Sequence, residues 1–169
     1  FREVMEFGDG PPPEINLFNE KNNGLLVQEL ITKKLANSVH DISAGGILVA
    51  LTEMCISGKI GAKIKIPKNS IGPHEYLFGE DQSRYLIEIS EKNKMVVSEI
   101  FEKNNIYYEI IGKTQKDSLN LDKEFDIKLS DLSELNSFWF KNYFKENWTI
   151  MALKLEEIKS LIKTDIPDA

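Results

Sequence analysis

Apolar residues recur at helical spacing in four segments of the chain. The clearest segment is 46–57, where one face carries Ile47, Ala50, Leu51, Met54 and Cys55 at the positions expected of an amphipathic helix. The same period predicts further helices at 25–35, 92–104 and 131–144. The residues that we expect to pack inward from the last two are Val96, Val97, Ile100, Phe101, Leu135, Phe138, Trp139 and Tyr143.

Alternation of apolar and polar residues predicts strands between these helices. The alternation is clearest at 85–89, where Tyr85, Ile87 and Ile89 are separated by Leu86 and Glu88. Further strands are predicted at 38–40, 62–66 and 107–111, and a hairpin or two short strands within 118–129. This order of elements is typical of the α+β class, so we expect a two-layer domain with helices packed on a mixed or antiparallel sheet.

Turn-forming residues set the expected domain limits. Glycine and proline at 8–13, followed by the asparagine and glycine at 22–24, predict an extended segment over 1–24 with little helix. The length of 169 residues suits one domain, which we place at 1–145. Residues 146–169 are expected to form a C-terminal tail, helical near 150–162.

Composition narrows the function classes. A formal net charge of −6 and a pI near 5.1, without a concentrated basic patch, argue against nucleic-acid binding. No apolar run is long enough to span a membrane and no signal peptide is recognisable, so we expect a cytoplasmic protein. The chain begins with Phe1 instead of Met, and we expect a piece of a longer polypeptide.

Few residues are candidates for a nucleophile or a metal ligand. Cys55 has no second cysteine to pair with and lies in an apolar helix, so we expect it in the core. His40 and His74 are the two histidines, and neither belongs to a cluster with metal-ligand spacing. No Walker loop or dinucleotide-binding fingerprint occurs. We therefore predict no metal site and assign no nucleophile.

The first informative motif runs from the strand at 38–40 into the helix at 46–57. His40 and Asp41 precede Ser43, and Gly45 and Gly46 open the helix. Paired glycines allow close backbone approach, and a helix N-terminus favours an anion, so phosphate binding is one interpretation. The other is an ordinary strand-to-helix turn in which Asp41 or Ser43 caps the helix and His40 braces the turn. The pattern leaves both open.

The second motif is the polar turn before the strand at 85–89. Glu80, Asp81, Gln82 and Arg84 follow Gly79. One interpretation is a solvated loop in which Glu80 or Asp81 pairs with Arg84. The other is a set of ligand or interdomain contacts.

Together, and in this order, residues 39–54 and 77–86 resemble the second carboxyl-terminal domain of the phosphoribosylformylglycinamidine synthase family, synthetase subunit. The first motif occurs in looser form across the aminoimidazole ribonucleotide (AIR) synthetase superfamily, whereas the turn at 78–84 is more discriminating. The resemblance extends over about 1–113. It implies the AIR-synthetase C-terminal fold.

The resemblance also implies a reaction. The family converts formylglycinamide ribonucleotide to the amidine in purine synthesis, using ATP, Mg²⁺ and ammonia that a glutaminase subunit or domain delivers. Its principal catalytic histidine and magnesium carboxylates lie on other domains, so this domain alone is expected to be inactive, with no catalytic or metal-binding residue. By pseudosymmetry with the other half of the enzyme, Glu80, Asp81, Gln82 and Arg84 are expected to make ligand or interdomain contacts. The first motif is expected to lie at a domain junction in the same cleft, with the residues His40, Asp41, Ser43, Gly45 and Gly46.

Other assignments are compatible with the two motifs. Other superfamily members with the same type of domain are AIR synthetase, thiamine-phosphate kinase, selenophosphate synthetase and the hydrogenase maturation protein. A purely structural or assembly domain would share the same motifs. The expected partners are the remaining domains of the synthase and the glutaminase, and the isolated chain is expected to form a homodimer through exposed apolar surface.

Overall fold

A computed structural model describes residues 14–67, 72–122, 124–138 and 142–143. Of these described residues, those up to Leu129 belong to one compact unit and those from Ser130 on belong to a second. The elements of the first unit are α1 (Leu17–Thr32), β1 (Ala36–Asp41), α2 (Gly46–Gly58), β2 (Gly61–Ile64), α3 (Pro73–Phe78), β3 (Tyr85–Ile89), a 3₁₀ turn (Glu91–Asn93), α4 (Lys94–Lys103), β4 (Gly112–Gln115), β5 (Ser118–Leu121) and β6 (Phe125–Lys128). The α+β class is confirmed.

The helix α1 begins eight residues before the predicted start at 25. Its N-cap is Asn16, whose side chain accepts a hydrogen bond from the Asn19 N–H at 3.0 Å. The predicted turn at 22–24 is therefore wrong, because these residues lie inside the helix. Residues 1–13 of the predicted extended segment lie outside the described residues.

Two antiparallel strands, β1 and β3, form a ribbon that is covered by helices. Its register pairs Asp41 with Tyr85 and Ala36 with Ile89, with a bulge between Ala36 and Ser38. Since strand side chains alternate between faces, Ile87 and Ile89 face one side and Leu86 the other. The first side packs on a cluster from α1 and α4, namely Leu26, Leu30, Val97 and Phe101. The second packs on Ile42, Ile47 and Ala50.

A second sheet has the strand order β4-β2-β5-β6. Strand β2 is antiparallel to β4 and parallel to β5, and β5 and β6 form the predicted hairpin. Its buried face carries Ala62, Ile64, Leu119 and Leu121. The sheet is therefore mixed, as expected.

Two sequence predictions fail near α4. The helix itself is confirmed, but Val96 is 46% exposed, whereas Val97 and Phe101 are buried. The predicted strand at 107–111 has no regular structure, and the ladder begins only at Gly112. Tyr108 instead packs its ring against Phe101, with centroids 5.0 Å apart.

In the second unit, residues 130–138 are helical, as predicted for 131–144. The predicted packing of Leu135, Phe138 and Tyr143 is wrong, because these side chains are 68%, 58% and 49% exposed. Trp139, the boundary at 145–146 and the tail at 146–169 lie outside the described residues. No helix in the described ranges is long and apolar enough to cross a membrane.

Candidate functional site

The ribbon brings the two sequence motifs together at one end. Strand β1 ends at Asp41, directly opposite Tyr85 at the start of β3. The backbone pairing continues one step further, because the Ile42 N–H donates to the Arg84 carbonyl at 2.9 Å. The turn at 43–46 and the turn at 79–84 therefore leave the ribbon side by side.

The glycine pair makes the turn into α2 possible. Gly45 and Gly46 have φ values of +81° and +69°, in the left-handed region where side chains are strained. A Cβ on Gly46 would lie 2.6 Å from the Leu77 carbonyl oxygen and 2.7 Å from Phe78 backbone carbon. Both features require glycine, so α2 can begin directly against the end of α3.

The carboxylate of Glu80 binds the N-terminus of α2. Glu80 Oε1 accepts a hydrogen bond from the Gly45 N–H at 2.8 Å. Gly45 is the N-cap residue, and no cap side chain bonds to the helix, so the predicted capping by Asp41 or Ser43 is wrong. Glu80 supplies from 35 positions away in sequence the acceptor and negative charge that a helix start favours.

Arg84 holds the second turn together from within. Its guanidinium donates to Asp81 Oδ2 at 3.0 Å and to the Gly79 carbonyl at 3.4 Å, and it lies 3.5 Å from the Tyr76 carbonyl. Asp81 is therefore the carboxylate that meets Arg84, whereas Glu80 points to α2. The Arg84 side chain is 24% exposed, so these contacts lie partly below the surface.

The remaining residues of the second turn include one unexpected tether. Ser83 has a positive φ of +64°, and the Asn23 amide donates to both its carbonyl at 3.0 Å and its hydroxyl at 2.9 Å. Gln82 beside it is exposed. Sequence reasoning missed Asn23 because it read 22–24 as a turn, and no local signal marks a partner 60 residues away.

His40 braces α2 itself. Its Nε2 lies 3.0 Å from Glu53 Oε2, in the middle of the helix, and its Nδ1 lies 3.7 Å from Asp41 Oδ1. The Asp41 side chain is largely exposed. Ser43 contributes its carbonyl, which accepts from the Gly46 N–H at 3.1 Å.

Tyr76, whose carbonyl contacts Arg84, has a hydroxyl with a raised pKa. Burial, the nearby charge of Glu109 and a 3.3 Å hydrogen bond to its Oε2 raise the pKa of Tyr76 to about 12. The hydroxyl donates to Glu109 and keeps its proton to a higher pH than an unperturbed tyrosine.

The arrangement is suited to holding backbone segments in place. Glu80, Asp81 and Arg84 are each engaged inside the site. Among the described residues no group of three His, Cys, Asp or Glu side chains is placed to hold a metal ion. These hydrogen bonds thus hold the two turns in a fixed arrangement of polar groups at the end of the ribbon.

Comparisons with known proteins identify the family of the chain. The family model described as "AIR synthase related protein, C-terminal domain" matches residues 2–122. A phosphoribosylformylglycinamidine synthase subunit PurL from Pelagibacter ubique is 44% identical over 144 residues, which is 85% of this chain and 20% of that protein. The chain therefore spans about a fifth of the length of this relative.

Solved structures share the fold. The PurLQS structure from Thermotoga maritima superposes with a TM-score of 0.64 at 20% identity, over 78% of this chain and 24% of the other. A T. maritima PurL complexed with ATP gives a TM-score of 0.58 at 20% identity, over 67% and 21%. The matched family model, the joined motifs and this shared fold agree, and the chain belongs to the AIR synthase-related family as its C-terminal domain.

Proposed function

We propose that this chain is a carboxyl-terminal domain of a PurL-type phosphoribosylformylglycinamidine synthase. In the whole enzyme it would serve the ATP-dependent conversion of formylglycinamide ribonucleotide to formylglycinamidine ribonucleotide in purine synthesis. The 44% identity to a PurL subunit over 85% of the chain supports this synthase over other members of the superfamily. The chain is about a fifth as long as that relative, and we propose that its share of the activity is structural and positional.

The observation that carries the proposal is the bond between Glu80 and the Gly45 N–H at 2.8 Å. It ties the discriminating second motif to the glycine turn of the first. The joined turns would form one wall of a cleft that other domains of the synthase complete. The candidate ligand or interdomain residues on this wall are Glu80, Asp81, Gln82, Arg84, His40, Asp41, Ser43, Gly45 and Gly46.

The Glu80 carboxylate bears directly on nucleotide binding. It already takes the position at the α2 N-terminus where a phosphate would be favoured. A phosphate at the Gly45 N–H would have to displace Glu80 and would meet its negative charge at close range. We therefore propose that ATP and Mg²⁺ are bound mainly by other domains of the synthase.

The partners of the chain and its cellular compartment are proposed by the same analogy. The PurLQS complex of T. maritima shows that a structural relative assembles with other subunits. By analogy, the partners of this chain would be the remaining synthase domains and a glutaminase subunit or domain that delivers ammonia. The enzyme would act in the cytoplasm, where purine precursors are made.

Complementation tests the proposal. A bacterial strain whose PurL polypeptide has this domain replaced by the present sequence should grow without added purines. A Gly46→Val replacement in the same context should fail, because Val would clash with the backbone of residues 77–78. Gly58→Ala is the matched control and should grow, since a Cβ there meets no atom within 4 Å. Failure of the unaltered sequence to support growth, with the hybrid protein present at normal level, would reject the proposal.

Calorimetry tests the nucleotide step separately. The chain is titrated with ATP and ADP, with and without Mg²⁺, and we expect no saturable binding. Binding that is lost in both Glu80→Ala and Arg84→Ala would instead mean that these turns form a ligand site of their own, and would refute the assignment of nucleotide binding to other domains.

A further inference from the structure

Ser83 has a backbone conformation that serine rarely adopts. Its φ of +64° lies in the left-handed region, where a side chain is strained. Strain of this kind persists only where surrounding contacts hold the residue in place. The backbone pairing of β1 with β3 extends only as far as Arg84, one residue after Ser83. Ser83 therefore has to be held by contacts other than the ribbon ladder.

The side chain of Asn23 supplies these contacts. Its amide nitrogen lies 3.0 Å from the Ser83 carbonyl oxygen and 2.9 Å from the Ser83 hydroxyl oxygen. A carbonyl oxygen can only accept, so the group that faces it must be the NH₂ of the amide. Among the described residues, no other hydrogen bond reaches either oxygen of Ser83. Asn23 is thus the group that fixes the orientation of this residue.

Asn23 belongs to a firmly packed part of the domain. It lies in α1, whose buried residues pack against the ribbon and α4. The next residue, Gly24, also lies against the start of β3, since a Cβ there would be 3.7 Å from the Tyr85 hydroxyl. The helix therefore contacts the chain at both Ser83 and Tyr85, and it offers a fixed support for the end of the turn at 79–84.

The conformation of Ser83 also bears on Glu80. Glu80 lies three residues earlier in the same turn, and its carboxylate accepts from the Gly45 N–H at 2.8 Å. The Glu80 side chain is exposed, so packing does little to hold it there. A change of φ at Ser83 would turn the preceding backbone and move the carboxylate away from Gly45.

We propose that Asn23 is a positioning residue of the candidate cleft. By holding Ser83 in the left-handed conformation, it keeps Glu80 at the Gly45 N–H and so joins the two turns. The role in a cleft rests on the proposed function, whereas the link from Asn23 to Gly45 is a property of the chain itself. A carboxylate of the same shape cannot replace the amide, because it would face the Ser83 carbonyl with a second acceptor.

Nuclear magnetic resonance of the full chain follows this link through the Gly45 amide. Asn23→Asp keeps the shape of the side chain and removes its donors. We expect the Gly45 amide proton to move towards the resonance position that it has in Glu80→Ala. Its hydrogen exchange should become about fivefold faster, the factor expected for the loss of one hydrogen bond.

Asn22→Asp is the matched control. It makes the same change of charge in the same helix, and the Asn22 side chain forms no hydrogen bond within the part of the chain that the structure describes. The Gly45 amide should therefore keep its wild-type signal in this variant. A wild-type Gly45 signal in Asn23→Asp, or an equal change in both variants, would overturn the inference.

A second pair of variants separates positioning from a general loss of stability. Glycine adopts the left-handed conformation without strain, so Ser83→Gly makes the contact with Asn23 less necessary. Asn23→Ala should speed the exchange of the Gly45 amide in the wild-type background and change it by less than about twofold in the Ser83→Gly background. If Asn23→Ala alone does not fold, a folded double variant with the wild-type Gly45 signal supports the inference. An equal effect in both backgrounds, or an unfolded double variant, would overturn it, because the effect would not pass through Ser83.

Growth of the hybrid strain tests the role in the cleft. The resonance measurements need no enzyme activity, so failure of the unaltered sequence to complement would reject the proposed function and leave the link to Gly45 intact. In a hybrid synthase that does support growth, Asn23→Asp should slow growth without added purines and Asn22→Asp should not. Normal growth with Asn23→Asp would overturn the role of Asn23 in the cleft.

Discussion

Replacing Gly46 by alanine should destabilise the domain far more than any other glycine-to-alanine change in α2. A non-glycine residue at its φ of +69° loses about 1–2 kcal/mol to left-handed strain. The new Cβ would also lie 2.6–2.7 Å from backbone atoms of residues 77 and 78, which cannot rotate away. Overpacking of this kind adds about 1–3 kcal/mol. The expected loss is therefore about 2–5 kcal/mol.

This loss is large beside the total stability of a domain, which is commonly about 5–15 kcal/mol. Urea unfolding followed by far-ultraviolet circular dichroism should show the midpoint falling by about 1–3 M, given the usual dependence of stability on denaturant for small proteins. Gly58→Ala is the matched control in the same helix. A Cβ at Gly58 meets no atom within 4 Å, so alanine should raise stability by about 0.5–1 kcal/mol.

Two results would refute this reasoning. A loss below about 1 kcal/mol in Gly46→Ala would mean that α2 and α3 are not in close backbone contact. A loss in Gly58→Ala as large as that in Gly46→Ala would mean that α2 tolerates no added methyl group anywhere, and the contact at residue 77 would not be the cause.

Three further changes probe the joined turns. Glu80→Ala should lower the free energy of unfolding by about 1 kcal/mol, because the Gly45 N–H loses its acceptor, and urea titration measures this. Asp81→Asn should lower it by at most about 0.5 kcal/mol, and less in high salt, because the pair with Arg84 is half exposed on the Asp81 side. Wild-type protein should lose stability as pH rises from 10 towards 12, because the pKa of Tyr76 is raised in the folded state to about 12 and unfolding releases its proton. Thermal scans should show a smaller loss in Tyr76→Phe over that range.

Each of these has a result that would contradict it. For Glu80, a Gln variant that is as unstable as the Ala variant would show that hydrogen bonding to Gly45 contributes little. For Asp81, a salt-independent loss would exclude an electrostatic origin. For Tyr76, identical pH profiles in wild type and Tyr76→Phe would show that other groups cause the alkaline loss.

Local patterns predicted those elements whose apolar positions agree with their burial in the fold. The strand at 85–89 is correct at both ends, because four of its five residues are apolar and the ribbon packs on helical clusters on both faces. The helix at 46–57 is correct to within one residue, since its apolar stripe and its glycine turn agree. Where two independent signals coincide, the sequence is sufficient.

Predictions failed where a distant contact overrode a local preference. Asn23 and Gly24 favour a turn, yet they lie within α1 because Asn16 caps the helix earlier and Asn23 is held by Ser83. The strand expected at 107–111 has suitable residues, but among the described residues only its last one makes a backbone hydrogen bond to a neighbouring segment, where the Ile111 carbonyl accepts from the Lys65 N–H at 3.0 Å. In each case the deciding partner is remote in sequence.

The candidate site shows the same difference between what local signals predict and what remote contacts decide. Both motifs were recognised from the sequence, and the glycine turn has the predicted geometry. The cap was assigned to Asp41 or Ser43 because they are near in sequence, whereas Glu80 takes that position through the pairing of β1 with β3. Only the register of that ribbon reveals which carboxylate reaches Gly45.

The ribbon also has a consequence for how the domain is made. Strand β1 cannot pair until β3 exists, and α2, β2 and α3 lie between them in the chain. Closing so long a loop is slow compared with forming a local hairpin. During synthesis the glycine turn therefore leaves the ribosome well before its acidic partner, and the completed wall is a late product of folding. Substitutions in β3 should then delay the maturation of a turn that they never touch.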